Sequence, residues 1–175
     1  MRTKTIFIAR AAVIAALYAA LTLMLMPFGY GPIQLRLSEA LTILPLFYLE
    51  AIPGLTIGCF LANLASPMPW DMLLGTAATL IAAILTRQLK KIYFGVLPPV
   101  LVNALVVPLM FILGGDTSPY YINVLTIFVS QAVVIGVFGT ALYFLLKPHV
   151  KKLKVLQPIT WAELRGKRES SQTLR

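Results

Sequence analysis

The chain has 175 residues, 59% of them hydrophobic and only 12% charged, with a net charge of +9. That usage lies far outside an ordinary soluble globule. One histidine (His149) and one cysteine (Cys59) leave no basis for a multi-histidine metal site or an internal disulfide.

Apolar runs near 6–28, 40–65, 70–86, 95–113 and 120–146 approach or exceed the ~20 residues a helix needs to cross a bilayer. The first run is too long for a signal-peptide core and lacks a clear small-residue cleavage site, so it reads as a helix. Basic residues fall at Arg2, Lys4 and Arg10, at Arg87, Lys90 and Lys91, at Lys147, Lys151, Lys152 and Lys154, and in the tail; only Arg36 stands elsewhere. Because they flank apolar spans, they read as positive-inside bias and lipid head-group contact, not as a nucleic-acid surface.

Taken in order, helix 1 runs outward from an inner N-terminus and ends near Met26-Pro27. Its ARAAVIAALYAAL stretch sets Ala11, Ala15 and Ala19 four apart, with Ala12, Ala16 and Ala20 likewise. Small residues at that spacing let another helix approach closely, within the bundle or from a partner. The loop 27–37 lies outside. There Ile33, Leu35 and Leu37 alternate with Gln34, Arg36 and Ser38, a strand-like period of two. This predicts an extended outer lid with its leucines on the bundle, Ser38 as a plausible N-cap and Glu39 in the first turn of the next helix.

A single helix over 38–65 would place Arg87, Lys90 and Lys91 outside, against the charge rule. The break at Glu50-Ala51-Ile52-Pro53-Gly54 supplies the missing crossing, because a residue before proline avoids helix. The prediction is two short helices, 38–49 and 52–65, forming an inward-pointing hairpin. Helices over 70–86, 95–113 and 120–146 follow, with Pro98-Pro99 suited to a helix start and Pro108 to a kink. The predicted fold is thus an all-α integral membrane protein of six helices with both termini cytoplasmic. Residues 1–157 form the membrane domain. Residues 158–175 form a basic cytoplasmic tail, with at most a turn of interfacial helix at Trp161.

Polar groups inside such a domain carry information, since a poorly paired one costs several kcal/mol. On this topology Glu39, Asn63, Trp70, Asp71, Asp116, Tyr120, Tyr121 and Asn123 gather at the outer face, with Asn103 and Gln131 deeper. They suggest an outward-opening polar cavity. Each also has a plainer role: macrodipole partner for Glu39 and Asp71, interhelical hydrogen bonds for the amides, and aromatic belt for Trp70 and the tyrosines. Arg36 could pair with Glu39 or a lipid phosphate. No GxxxxGK[ST] loop is present, so the chain is not expected to hydrolyse ATP; an enzyme is not expected, and no cofactor is called for.

The stretches IQLRLSEALTILP, AIPGLTIGCFLANLASP and LPPVLVNALVV together resemble the QueT family, substrate-binding S components of energy-coupling factor (ECF) transporters. The likeness runs over roughly residues 6–146, with Q-x-R-x-SEALT-x-LP its specific part. It implies a six-helix S component in the cell membrane that captures a small molecule outside. It implies an EcfT-like coupling membrane protein and two ABC ATPase subunits as partners, with Ala11, Ala12, Ala15, Ala16 and Ala19 docking on the coupling protein. The S component would topple in the membrane to release its ligand. The implied ligand is a queuosine precursor, 7-aminomethyl-7-deazaguanine. Glu39 or Asp71 could accept its paired N–H donors, and Trp70 or Tyr120 could stack on its base. Gln34, Arg36, Asn63, Asn103, Asn123 and Gln131 could meet the rest. The family pattern leads one to expect an acidic residue near Gln131; none stands here, which leaves the ammonium partner open. Another vitamin or purine-like cargo, an ion-coupled carrier working alone and a non-transporting assembly factor are the alternatives.

Overall fold

The computed structural model describes residues 2–26, 35–89, 91–152 and 158–164. All regular structure among the described residues is helical. Helix α1 covers Arg2–Met24. It is followed by a 3-10 segment, Leu37–Leu46, and by α2, Ala51–Asn63. A π turn, Asp71–Gly75, leads into α3, Thr76–Gln88. A single turn at Ile92–Gly95 precedes α4, Leu97–Leu113. The last rod runs from α5, Tyr120–Val133, through a π turn, Val134–Gly139, into α6, Thr140–Lys152.

Among the described residues three helices are long and apolar enough to cross a membrane: Thr3–Met24, Ile92–Leu113 and Tyr120–Val150. Leu37–Leu46 and Ala51–Asn63 are apolar but shorter. Helices adjacent in the chain pack side by side, α1 on α2, α2 on α3, α3 on α4 and α4 on α5. The 3-10 segment lies in the middle, touching α1, α3, α6 and the Val134–Gly139 turn. That central position explains why Ser38, Glu39, Ala40, Thr42, Ile43, Leu44 and Pro45 are all buried.

The sequence led to an α-helix over 38–49, and the structure differs. Pro45 has no N–H for the carbonyl four residues back, and the Thr42 hydroxyl donates to the Glu39 carbonyl at 2.6 Å. Wound as 3-10, ten residues reach about 20 Å, where an α-helix would reach about 15 Å. The carbonyls at its end are met by Arg87, whose Nη1 donates to Pro45 O at 3.1 Å and Leu46 O at 3.3 Å. The break expected around Pro53 sits earlier, at 47–50. Pro53 falls in the first turn of α2, where its missing N–H is not needed. Ser38 is not an N-cap: the 3-10 segment begins at Leu37, and the Ser38 hydroxyl lies 2.7 Å from that of Thr22.

The lid is corrected as well. Its described part reads inside out, with Leu35 44% exposed and Arg36 and Ser38 buried. A chain surrounded by lipid turns its apolar edge outward when its interior is polar. Residue Gln34 lies outside the described residues. Pro98 and Pro99 begin α4 as expected, and Pro108 lies within it.

The α1–α2 contact is unusually close. A Cβ on Gly54 would meet the Ala11 carbonyl oxygen at 2.8 Å, and one on Gly58 would meet that of Ala15 at 2.7 Å. The core beside this seam holds Ile14, Tyr18, Leu44, Tyr48, Ala51, Leu55, Cys59, Ala83 and Val150. At the far end of the chain, Thr160 and Glu163 make a capping box for the turn Trp161–Leu164. The Thr160 N–H donates to Glu163 Oε2 at 2.8 Å and the Glu163 N–H to Thr160 Oγ1 at 3.3 Å.

Candidate functional site

Glu39 is the centre of the buried polar network. It stands in the first turn of the 3-10 segment and is 2% exposed. Its Oε1 accepts from the Tyr18 hydroxyl of α1 at 2.5 Å, and its Oε2 from Asn103 Nδ2 of α4 at 3.1 Å. A carboxylate here is held by two donors from two different helices, one on each oxygen.

A second branch begins three residues earlier. Arg36, buried at the entry to the 3-10 segment, donates through Nη2 to Asn63 Oδ1 at the end of α2. Asn63 in turn donates through Nδ2 to the Asp71 carbonyl at 2.7 Å. Gly75 makes room for that amide, since a Cβ there would lie 3.0 Å from Asn63 Nδ2. Asp71 opens the π turn and is 2% exposed. Its Oδ2 accepts from the Ser66 hydroxyl, while its Oδ1 is buried with no hydrogen-bond partner. Gln131, in the last turn of α5, is 1% exposed and also keeps an unpartnered amide oxygen.

The structure thus brings together Arg36, Asn63 and Asp71 in one branch and Glu39 and Asn103 in the other, three residues apart on the chain. Trp70 and Tyr120 stand at the surface, 41% and 39% exposed, and bond to backbone: Trp70 Nε1 to Leu113 O at 3.3 Å and Tyr120 OH to Leu105 O at 2.8 Å. Asn123 is buried but ties the start of α5 to the preceding loop, donating to Asp116 Oδ2 at 2.8 Å. The Ser118 N–H donates to Asp116 Oδ1 at 2.9 Å. These two bonds, the Ser118 one first, hold the Asp116 carboxyl below its ordinary range.

The alanines of α1 divide into two faces. Ala11 and Ala15 are buried against α2 at Gly54 and Gly58, whereas Ala12 and Ala16 are exposed and Ala19 half-buried. Among the described residues no group of three or more His, Cys, Asp or Glu could hold a metal ion. An open apolar groove of about 390 Å³ is lined by Leu35, Leu125, Thr126, Val129, Ser130 and Val133, none of them a charged residue.

Sequence reasoning missed Tyr18, Ser66 and the Thr22–Ser38 pair. For Tyr18 a signal was present. It falls three residues after Ala15 and seven after Ala11, on the α1 face that packs inside. A hydroxyl on that face needs a buried acceptor.

No solved structure matches the chain. One curated relative, the queuosine precursor transporter QueT of Lactococcus lactis subsp. cremoris (strain MG1363), is 36% identical over 99 residues, 53% of this chain. The chain covers 59% of that relative's length. The sequence profile of the QueT transporter family matches residues 8–148, a stretch that contains most of α1, the whole 3-10 segment and every residue of the buried network, and the chain therefore belongs to the QueT transporter family.

Proposed function

We propose that the protein is the substrate-binding S component of an ECF-type transporter and takes up a queuosine precursor, 7-aminomethyl-7-deazaguanine, from outside the cell. The observation that carries this reading is the charge of the buried network. Arg36, Glu39 and Asp71 are each no more than 6% exposed and sum to one negative charge, and residues 27–34 contain no charged side chain. A buried net charge in low dielectric is costly unless a counter-charge arrives. A ligand with one ammonium group balances it, and Asp71 Oδ1 is the open acceptor. Glu39 offers one further lone-pair direction on each oxygen, which suits two adjacent N–H donors on a guanine-type edge. The named relative is a queuosine precursor transporter, and that supports the same cargo.

In this reading the chain crosses the cell membrane six times with both termini inside. The shorter elements Leu37–Leu46 and Ala51–Asn63 form the inward hairpin, and the network around Glu39 faces outside. The exposed pair Ala12 and Ala16 docks on an EcfT-like coupling protein, and two ABC ATPase subunits supply the energy. The membrane domain spans 1–157 and the basic tail 158–175. Arg36, Glu39, Asn63, Asp71, Asn103 and Gln131 contact or frame the ligand. Trp70, Tyr120 and Asn123 shape the mouth.

Calorimetry on the purified protein with 7-aminomethyl-7-deazaguanine tests the reading. Tight 1:1 binding that Glu39→Gln weakens at least tenfold is expected. Binding of a different vitamin, with none of the deazaguanine, overturns the cargo. Uptake by the single chain in liposomes without ATPase subunits overturns the S-component role.

A further inference from the structure

We infer that Tyr18 is a positioning residue that sets ligand selectivity by locking the plane of the Glu39 carboxylate. The inference rests on the proposed function and extends it to a residue of α1. Rotation about the last side-chain torsion of glutamate is broad and weakly restrained. Here it is restrained at two points, Tyr18 on Oε1 at 2.5 Å and Asn103 on Oε2 at 3.1 Å. Two anchors fix a plane, whereas one leaves a pivot.

The Tyr18 hydroxyl is itself immobile. Its side chain is fully buried, packed in the core with Ile14, Leu44, Leu55 and Cys59. Gly58 lets α2 come so close that a Cβ there would lie 2.9 Å from the Tyr18 Cβ. One helical turn further on, Thr22 meets Ser38, the residue before Glu39. The α1 side of the 3-10 segment is therefore held at two successive residues.

With one protein donor on each oxygen, the carboxylate keeps one lone-pair direction on each for a ligand. A planar edge with two adjacent N–H groups needs both at once and in one plane. A ligand with a single donor needs only one. Locking the plane thus favours the paired-donor ligand and does little for its single-donor analogue.

The experiment is a double-mutant cycle of Tyr18→Phe and Glu39→Gln, read by calorimetry. The probes are 7-aminomethyl-7-deazaguanine and the same base lacking the exocyclic 2-amino group. Tyr18→Phe is expected to weaken the first probe by about tenfold, the scale of one hydrogen bond to a charged group, and the second by less than about threefold. In the Glu39→Gln background Tyr18→Phe should add almost nothing, since both changes act on one interaction. Equal weakening of both probes, or additivity in the cycle, assigns Tyr18 a purely structural role and overturns the inference. Wild-type protein that binds neither probe overturns the proposed cargo and this role with it. Wild-type protein that discriminates the probes, beside a Tyr18→Phe variant that discriminates them equally well, overturns this role alone.

Discussion

Replacing Gly58 by alanine tests the α1–α2 seam on which the site depends. The added methyl would lie 2.7 Å from the Ala15 carbonyl oxygen, 2.9 Å from the Tyr18 Cβ and 3.0 Å from the Ala15 Cα. Backbone, not a flexible side-chain end, receives the clash. Ordinary contact begins at 3.4 Å, so the helices must separate by about 0.7 Å. Overpacking of this kind costs about 1–3 kcal/mol, set against about 0.5–1 kcal/mol gained from replacing a helical glycine. The balance is a net loss centred on about 1 kcal/mol, within roughly 0–2.5 kcal/mol. Gly136 supplies the control, because a Cβ there meets nothing within 4 Å; Gly136→Ala should be neutral or slightly stabilising. The assay is thermal melting of the two variants in the same detergent, followed by ligand titration. Gly58→Ala should melt several degrees lower and also bind more weakly, since the displaced Tyr18 no longer reaches Glu39. A Gly58→Ala protein that melts with or above Gly136→Ala would refute the close approach and every argument built on it.

Asp71→Asn removes the open anionic acceptor, and it should weaken 7-aminomethyl-7-deazaguanine about tenfold or more while sparing a neutral nitrile analogue; equal loss for both, by calorimetry, removes Asp71 from cation recognition. At the other end of α1, Arg10 Nη1 donates to Glu50 Oε1 at 2.8 Å, with Glu50 fully buried and Arg10 20% exposed. Glu50→Gln should cost about 3 kcal/mol, the low end for breaking a buried pair because Arg10 keeps some contact with its surroundings, and adding Arg10→Met should restore part of it; denaturation in detergent reads both. Asp116 is held below its ordinary value of 3.8 by Ser118 and Asn123. A lowered folded-state value means stability present above 3.8 and lost as pH falls below it through the folded value. The melting gap between wild type and Asp116→Asn should therefore be constant at neutral pH and close only below that point.

The apolar helices were legible because hydrophobic run length reports on membrane-length helices directly. The starts of α4 at Pro98-Pro99 and of α5 at Tyr120 followed from local chemistry. What resisted was the 3-10 winding of Leu37–Leu46, because apolar composition cannot separate an α-helix from a stretched one, and the deciding interactions (Arg87 on Pro45 and Leu46) come from more than 40 residues away. The same limit hid the role of the alanines. Spacing marks both faces of α1 as able to pack closely, but only the glycines opposite them, at 54 and 58, decide that Ala11 and Ala15 face inward.

The lid shows why polar alternation needs a solvent before it can be interpreted. In water, the apolar members of Leu35-Arg36-Leu37-Ser38 would turn inward. Here Arg36 and Ser38 turn in and Leu35 turns out, and the inversion follows from two interior partners, the Asn63 amide oxygen that accepts from Arg36 and the Thr22 hydroxyl that donates to Ser38. An interior that offers a buried guanidinium an amide oxygen is already polar before any ligand enters. The groups that orient Arg36 and Glu39 are largely protein-supplied, from α1, α2 and α4, and under the proposed function the ligand has only to supply what they lack: a positive charge for Asp71 and a planar pair of donors for Glu39. Selectivity in such a site comes from the restraint on its acceptors as much as from their identity.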